Sequence, residues 1–295
     1  MASEICLVLH RKSANEPAVK EAVRQVRKAG HDLRVRIPWN KKEKPRVVRE
    51  ALDDGATRII AGGGDGTINA VADALIHAGD YCADVTLGVC PLGTANDFAR
   101  GLGLPKDDLA ECLRIACTRD GRAIDVGVLN GRHFINVASL GFGAEITATT
   151  PIKLKKALGG AAYTLMGMVK ALNLKPYVGT LLVPGEEPLE GSMLFMAVGN
   201  NHFAGGGFDI APMAKLDDGL LDLTAILVDK GLDLASIKEE LDDPMNPDNT
   251  HVVYRQLAEF TIKSKQPLQC NLDGEPIRKK KMKFSILPQR LRVAY

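Results

Sequence analysis

The chain has 295 residues, 45% of them hydrophobic and 25% charged, and Lys plus Arg exceed Asp plus Glu by only two (38 − 36). That balance describes a globular protein long enough for one large or two ordinary domains. It excludes a general binder of polyanions and leaves room for a local basic patch. Aromatic residues are 5% of the chain with a single tryptophan, Trp39, which speaks against a nucleic-acid platform built on stacked bases.

In chain order, residues 5–10 are a short apolar run and read as a buried strand. Val19, Ala22, Val23 and Val26 recur at helical spacing, and Gly30 stands where such a helix stops. Residues 33–37 read as a second strand, and Val47, Val48, Ala51 and Leu52 mark a second helix closed by Gly55. Residues 58–61 are a third strand, which runs straight into Gly62-Gly63-Gly64-Asp65-Gly66-Thr67. A helix follows with Ile68, Val71, Ala72 and Leu75 on one face. Residues 86–90 are a fourth strand ending in Pro91-Leu92-Gly93-Thr94, and residues 109–116 are helical. Repeated strand–helix units imply a parallel sheet with helices on both faces.

The character changes between residues 121 and 135. Residues 123–129 and 133–137 flank Asn130-Gly131, a strong hairpin signal. Residues 181–184 and 193–198 flank another loop, and residues 220–227, 259–264, 268–272 and 283–287 also read as strands, so this half is mainly β and antiparallel. One helix is expected in it over residues 152–172, with Thr150 as cap and Pro151 in the first turn.

The six cysteines (Cys6, Cys82, Cys90, Cys112, Cys117, Cys270) have no C-x-x-C spacing and read as reduced, buried thiols. The N-terminal Met-Ala-Ser-Glu is not a secretory signal, and no apolar run reaches the ~20 residues that cross a bilayer. The expectation is a cytoplasmic protein whose membrane contact is peripheral and transient.

The glycine loop lies between a strand and a helix, where backbone N–H groups and the positive end of the helix dipole converge on one point. Glycines let a bulky anion approach the backbone, so phosphate is the natural guest. Asp65 inside such a loop makes sense if it meets Mg²⁺, directly or through water, or orients the loop through backbone hydrogen bonds. No Lys follows as in a P-loop, and the motif follows the third strand rather than the first, unlike a dinucleotide fingerprint. The segment Pro91 to Arg100 ends the next strand, so both motifs belong to one edge of the sheet. Thr94 and Asn96 offer hydrogen bonds to phosphate or sugar, and Asn96 could cap the short helix that follows.

Gly-Gly-Gly-Asp-Gly-Thr-Ile-Asn followed by Pro-Leu-Gly-Thr-Ala-Asn-Asp-Phe-Ala resembles the diacylglycerol kinase catalytic family, most closely its bacterial YegS-type lipid kinases. The resemblance continues through residues 200–207, 216–223 and 271–275 and so covers nearly the whole chain. It implies an ATP-binding α/β domain over residues 1–127, rejoined by 284–295, a β-rich lipid-substrate domain over 128–283, and an active site in the cleft between them. It further implies Mg-ATP as donor, with nucleotide contacts at Lys12, Gly63, Gly64, Asp65, Gly66, Thr67, Ile68, Asn69, Ala70, Thr94 and Asn96. Glu275 would accept the proton of the acceptor hydroxyl, with Asp273 as its close partner and Asp65 completing the catalytic set. A second metal, Mg²⁺ or Ca²⁺, would be held by Asp218 and the backbone carbonyls of Lys215 and Leu220. The segment 200–207 resembles a family loop lining the cleft.

Three positions depart from the family pattern. His10-Arg11-Lys12-Ser13 replaces an Asn-Pro-x-Ser-Gly-like stretch, leaving Lys12 and Ser13 as phosphate helpers. Pro38 stands where relatives carry a nucleotide-contacting Thr, and Ala70 where a Glu often follows. These bear on the adenine side rather than on the phosphate site. The basic run Arg278, Lys279, Lys280, Lys281 and Lys283 reads equally as a protected edge strand or as a patch for an anionic membrane. The expected activity is phosphorylation of a free hydroxyl of a glycerolipid, phosphatidylglycerol or diacylglycerol, in phospholipid biosynthesis. The alternatives are an NAD kinase, which shares a Gly-Gly-Asp-Gly-Thr loop, and a non-catalytic lipid- or nucleotide-binding regulator.

Overall fold

The computed structural model describes residues 4–79, 84–141, 176–229 and 233–295. The chain divides into two compact units, Met1–Val126 with Leu287–Tyr295, and Gly127–Ile286.

In the first unit, β1 (Glu4–Leu9) pairs in parallel with β2 (Leu33–Arg36) and β3 (Ala56–Gly63), and β3 pairs in parallel with β4 (Thr86–Pro91). The last residues of β15 (Glu275–Val293) add a further parallel strand beside β4. Ile5, Leu7 and Leu9 alternate onto one face of β1. There they pack with Val19, Ala22, Val23 and Val26 of α1 (Pro17–Lys28) and with Leu113, Ala116 and Cys117 of α5 (Leu109–Thr118). α2 (Lys44–Asp53) and α3 (Asp65–His77) pack on each other and on β3. Pro17 and Pro45 occupy first-turn positions whose N–H would lack a helical partner anyway. Gly30 (φ 93°) and Gly55 (φ 91°) follow α1 and α2 in the left-handed conformation that ends helices.

The second unit is antiparallel. β5 (Arg122–Leu129) and β6 (Arg132–Phe134) form a hairpin on Asn130 (φ 49°) and Gly131 (φ 79°), the two positive φ values of a type I′ turn. The remaining strands are β7 (Val137–Gly141), β8 (Tyr177–Leu182), β9 (Leu189–Gly199), β10 (Phe203–Ala204), β11 (Phe208–Asp209), β12 (Leu221–Leu227), β13 (Val252–Leu257) and β14 (Glu259–Leu272). Their order is β13-β12-β9-β7-β14-β15, with β8 beside β14 and β9, and β10 pairing with β11 in a separate two-stranded sheet. Along β9 the period of two separates two cores. Met196 and Val198 join Phe134, Phe260 and Phe284, while Phe195 and Ala197 join Ile226 and Ile237 of α6 (Leu234–Asp242). Phe260 and Phe284 stack with centroids 4.9 Å apart, and Phe134 meets Phe284 edge-on at 6.4 Å.

The strand expected over residues 133–137 is broken at Ile135 and Asn136, so that β6 and β7 are separate. The two strands expected over residues 259–272 are one strand, β14, with an irregularity between Lys263 and Leu268. The strand expected over 283–287 is a short piece of β15. α6 was not anticipated, although Asp233 caps it by accepting from the N–H groups of Ala235 and Ser236. The helix expected over residues 152–172 lies outside the described residues.

Candidate active site

The first group of site residues gathers where β3 and β4 end. Gly64 precedes α3, and its carbonyl accepts from Thr67 N (2.7 Å) and Ile68 N (3.1 Å). The amides of Asp65 and Gly66, first in the helix, make no such bond among the described residues and remain for an anion. Glycine is required sterically. A Cβ on Gly63 would lie 2.6 Å from Thr67, and one on Gly93 only 2.5 Å from the Cα of Gly64. The two loops thus touch backbone to backbone, and Leu92 N donates to Gly63 O at 2.8 Å.

Asp65 fastens them further. Its Oδ1 accepts the N–H of Phe98 at 3.0 Å, at the start of α4 (Asp97–Gly101). Asp65 therefore does for this short helix what Asn96 was expected to do. The Asn96 side chain makes no cap bond. Its Oδ1 accepts from Gly93 N (2.7 Å) and its Nδ2 donates to Gly93 O (3.0 Å), locking the turn with Asn96 itself at φ 52°. Thr94 at the tip of that turn is exposed.

Lys12 is exposed in the short 3-10 helix Arg11–Asn15 that follows β1, whereas Ser13 is 5% exposed and leaves Lys12 as the solvent-facing group. Ile68 is fully buried, so any nucleotide contact there uses its backbone. Asn69 carries a buried Oδ1 with no hydrogen-bond partner, a polar atom left over on the helix that starts at the loop. Ala70 is half-buried.

Sequence reasoning missed Lys44. It stands in the run Lys41-Lys42-Glu43-Lys44 and has the pattern of a surface lysine. Yet it is 5% exposed, and its Nζ lies 3.3 Å from Thr67 Oγ1. His10, whose N–H donates to Gly62 O at 2.7 Å, shares this environment. Its pKa is held below the ordinary 6.5, first by burial and then by the charges of Lys44 and Lys12.

The second unit carries Asp273 and Glu275. Leu272 pairs with Glu275 across a two-residue turn of Asp273 (φ 47°) and Gly274 (φ 93°). Glu275 is half-buried at the first position of β15. Asp273 is 7% exposed and its carboxylate is committed. It accepts from Ile135 N (2.7 Å), Asn136 N (3.2 Å) and Val137 N (2.9 Å). This explains the break between β6 and β7: three successive amides turn to one carboxylate instead of a strand.

Asn200 and Asn201 pack against the same break. Both backbone N–H groups donate to Asn136 O, and the Asn200 side chain donates to Ile135 O. Both residues are at most 1% exposed, so this part of the 200–207 segment is buried framework.

Lys215, Asp218 and Leu220 lie in the turn before β12. Asp218 is exposed, and its Oδ1 accepts from Leu220 N at 3.0 Å, closing the turn. Behind it sits a group that sequence reasoning did not identify. Tyr254 donates to Asp222 Oδ1 at 2.6 Å and accepts from Met213 N at 3.1 Å, pinning the segment that leads into the turn. Burial raises the pKa of Asp222.

A glycine-built anion pocket at a helix N-terminus, in an α/β unit followed by a β-rich unit bearing a carboxylate hairpin, defines a phosphate-handling enzyme of the kinase class. Residues 4–129 match the diacylglycerol kinase catalytic domain, and residues 136–295 match the YegS C-terminal NAD kinase beta sandwich-like domain. A protein of Chromohalobacter salexigens named "Probable lipid kinase YegS-like" is 45% identical over 98% of this chain and 92% of its own. One of the same name from Pseudomonas fluorescens is 42% identical over 97% and 93%. Two solved structures from Bacillus anthracis str. Sterne share the fold. One has a TM-score of 0.81 at 22% identity, covering 99% of this chain and 95% of its own. Another, of a diacylglycerol kinase, has a TM-score of 0.75 at 19% identity, covering 99% and 97%. The chain belongs to the YegS-like lipid kinase family, and it is a kinase.

Proposed function

We propose that this kinase transfers the γ-phosphoryl group of ATP, with Mg²⁺, to a free hydroxyl of a glycerolipid, phosphatidylglycerol or diacylglycerol. The observation that carries the reading is the loop Gly63–Thr67 closed on Gly93–Asn96. The steric ban on any side chain at Gly63 and Gly93 and the two unused amides of Asp65 and Gly66 suit the donor's phosphates. Lys12 and Thr94, both exposed, supply further phosphate contacts, and the unpartnered Asn69 Oδ1 suits a donor group of the bound nucleotide.

Phosphoryl transfer asks the protein mainly to position and to neutralise charge. Glu275 takes the proton of the lipid hydroxyl as its oxygen bonds to the γ-phosphorus. The bond from that phosphorus to the β–γ bridging oxygen breaks, and ADP leaves. Asp273 is a positioning residue, because its carboxylate is spent on three backbone amides. Asp65 holds the two nucleotide loops together through Phe98 N, and its second oxygen is available to Mg²⁺ directly or through water. Mg²⁺ bound with ATP supplies charge neutralisation on the phosphates. The turn at Asp218, with the carbonyls of Lys215 and Leu220, offers the hard oxygen donors that suit a second Mg²⁺ or Ca²⁺.

Contact with a membrane is part of the reading. Among the described residues no helix is long and apolar enough to cross a bilayer. Arg278, Lys279 and Lys280 are exposed, Lys281 and Lys283 are exposed and alternate with buried Met282 and Phe284, and Lys281 sits directly opposite exposed Lys263 in the β14–β15 pairing. Like charges placed opposite each other cost stability in the free protein. They suit an anionic lipid surface, where each cation contributes ~1 kcal/mol. The test is incubation of the pure protein with labelled ATP, Mg²⁺, separate lipid panels, and NAD. Label in a glycerolipid supports the reading. Label only in NADP replaces it with the NAD kinase alternative, and no label in any product favours a non-catalytic regulator.

A further inference from the structure

We infer that Trp39 is the platform on which the base of the nucleotide stacks, at the far end of the sheet edge that carries the glycine loop. This rests on the nucleotide-binding part of the function proposed above and on nothing about the lipid.

The parallel order β4-β3-β1-β2 sets neighbouring loops side by side at the carboxyl edge of the sheet, where such sheets bind ligands. The glycine loop follows β3, His10 and Arg11 follow β1, and Ile37-Pro38-Trp39 follow β2. Contacts join them in that order. His10 N donates to Gly62 O at 2.7 Å, and the Arg11 guanidinium carbon lies 5.8 Å from the centroid of the Trp39 ring. From β3 to β2 is two strand spacings, about 10 Å. An extended nucleoside triphosphate spans such a distance between its phosphates and its base. In the other direction, toward β4, the loop at Gly93 is closed on Gly64, and its aromatic residue, Phe98, is 1% exposed. The exposed ring therefore lies on the β2 side.

Trp39 is the single tryptophan of the chain, a residue type that is highly buried on average. Here it is 73% exposed, the most exposed large hydrophobic residue among the described residues, so its indole does not serve the core. Its backbone is nevertheless held. Trp39 N donates to Glu43 Oε2 at 3.1 Å, Asn40 Nδ2 donates to Glu43 Oε1 at 2.9 Å, and Lys42 N donates to Asn40 Oδ1 at 2.9 Å. Pro38, just before it, is buried and has its φ fixed by the ring. An anchored backbone lowers the ordering cost of binding. Arg11 steadies the indole at 5.8 Å without covering it. A flat aromatic face beside a phosphate site suits a nucleotide base, because every base has a π-face to stack. Arg11 and Lys12, exposed on the β1 loop between the two ends, place positive charge along the path of the polyphosphate.

An exposed tryptophan near lysines also suits a membrane interface. The Glu43 carboxylate bonded to Trp39 N opposes the approach of an anionic surface and is no obstacle to a neutral base. Calorimetric affinities for ATP and inorganic tripolyphosphate are measured for the wild type, Trp39→Ala and Trp39→Phe, beside melting temperatures without ligand. Stacking predicts that Trp39→Ala weakens ATP by about 5- to 150-fold, that tripolyphosphate is unaffected, and that Trp39→Phe recovers most of the loss. Melting temperatures should stay together, because the ring is exposed. Wild-type tryptophan emission, which reports on Trp39 alone, should change with ATP and not with tripolyphosphate. Trp39→Ala that binds ATP as the wild type does overturns the inference and leaves the nucleotide reading intact. So does an equal weakening of ATP and tripolyphosphate. Emission that responds to phosphatidylglycerol vesicles and not to ATP overturns it in favour of a membrane anchor. Should Trp39→Ala fail to fold, wild-type emission unchanged by saturating ATP overturns it by itself. Wild-type protein that binds neither ATP nor tripolyphosphate overturns the nucleotide reading as well.

Discussion

Replacing Asp273 by Asn tests the idea that this carboxylate organises the second unit rather than handling a proton. The substitution is nearly isosteric, and Asn tolerates the left-handed backbone (φ 47°) as Asp does, so the turn is not strained anew. The change is electrostatic. Three amides donate to the carboxylate, the closest being Ile135 N on Oδ2 at 2.7 Å and Val137 N on Oδ1 at 2.9 Å. An Asn side chain offers one oxygen, so at least one of these amides then faces an NH₂ donor. Hydrogen bonds to a charged group contribute about 1.5–3 kcal/mol, and the site is buried. Losing one such bond and weakening the others predicts a loss of about 3 kcal/mol in unfolding free energy. It also predicts faster exchange of the amide hydrogens at residues 135–137. Urea titration and hydrogen exchange read both. Stability within about 0.5 kcal/mol of the wild type, with unchanged exchange at those amides, would refute the reasoning.

Other expectations follow from the same geometry. Gly93→Ala places a methyl 2.5 Å from the Cα of Gly64, a backbone atom that cannot rotate aside. ATP affinity should fall at least tenfold while the second unit's hydrogen-exchange protection persists, and unaltered ATP binding would contradict the close approach of the two loops. Lys263→Glu replaces a like-charge pair opposite Lys281 with an opposite-charge one. It should stabilise the free protein by about 0.2–1 kcal/mol and weaken sedimentation with phosphatidylglycerol vesicles, and tighter vesicle binding would remove the membrane role. His10 has its folded pKa below 6.5, so the folded state resists protonation more than the unfolded chain does. Wild-type stability should therefore drop relative to His10→Gln as pH falls from above 6.5 toward the lower folded value. A wild type that gains on acidification would show the sign to be wrong.

What could be read from the sequence was local. The apolar run of β1, the period of 3.6 in α1, and the Asn130-Gly131 turn each follow from neighbours a few residues apart. The glycine loop was legible for the same reason: three glycines between an apolar run and a helical pattern leave few alternatives. Relations across the chain were not legible. Asp273 reaches back to Ile135, a separation of 138 residues, and no local pattern says that a carboxylate will interrupt a strand there. The burial of Asn200 and Asn201, in a segment that resembles a cleft-lining loop, rests on the carbonyl of Asn136, a partner visible only after folding. Lys44 was hidden among exposed lysines. Its side chain reaches Thr67, 23 residues away on another helix. Asn96 was assigned a cap on local grounds, but Asp65, from the neighbouring loop, took the amide instead.

The central claim is that this chain phosphorylates a glycerolipid hydroxyl from ATP, with Glu275 as the proton acceptor. The most direct measurement is the rate of labelled product from Mg-ATP and vesicles of phosphatidylglycerol or diacylglycerol, for the wild type and Glu275→Gln. Lipid phosphate formed by the wild type, with turnover lowered by about 100- to 10,000-fold in a Glu275→Gln protein that melts normally, is the predicted result. Equal turnover by the two proteins would contradict the role of Glu275. The absence of lipid product from an ATP-binding wild type would contradict the claim itself.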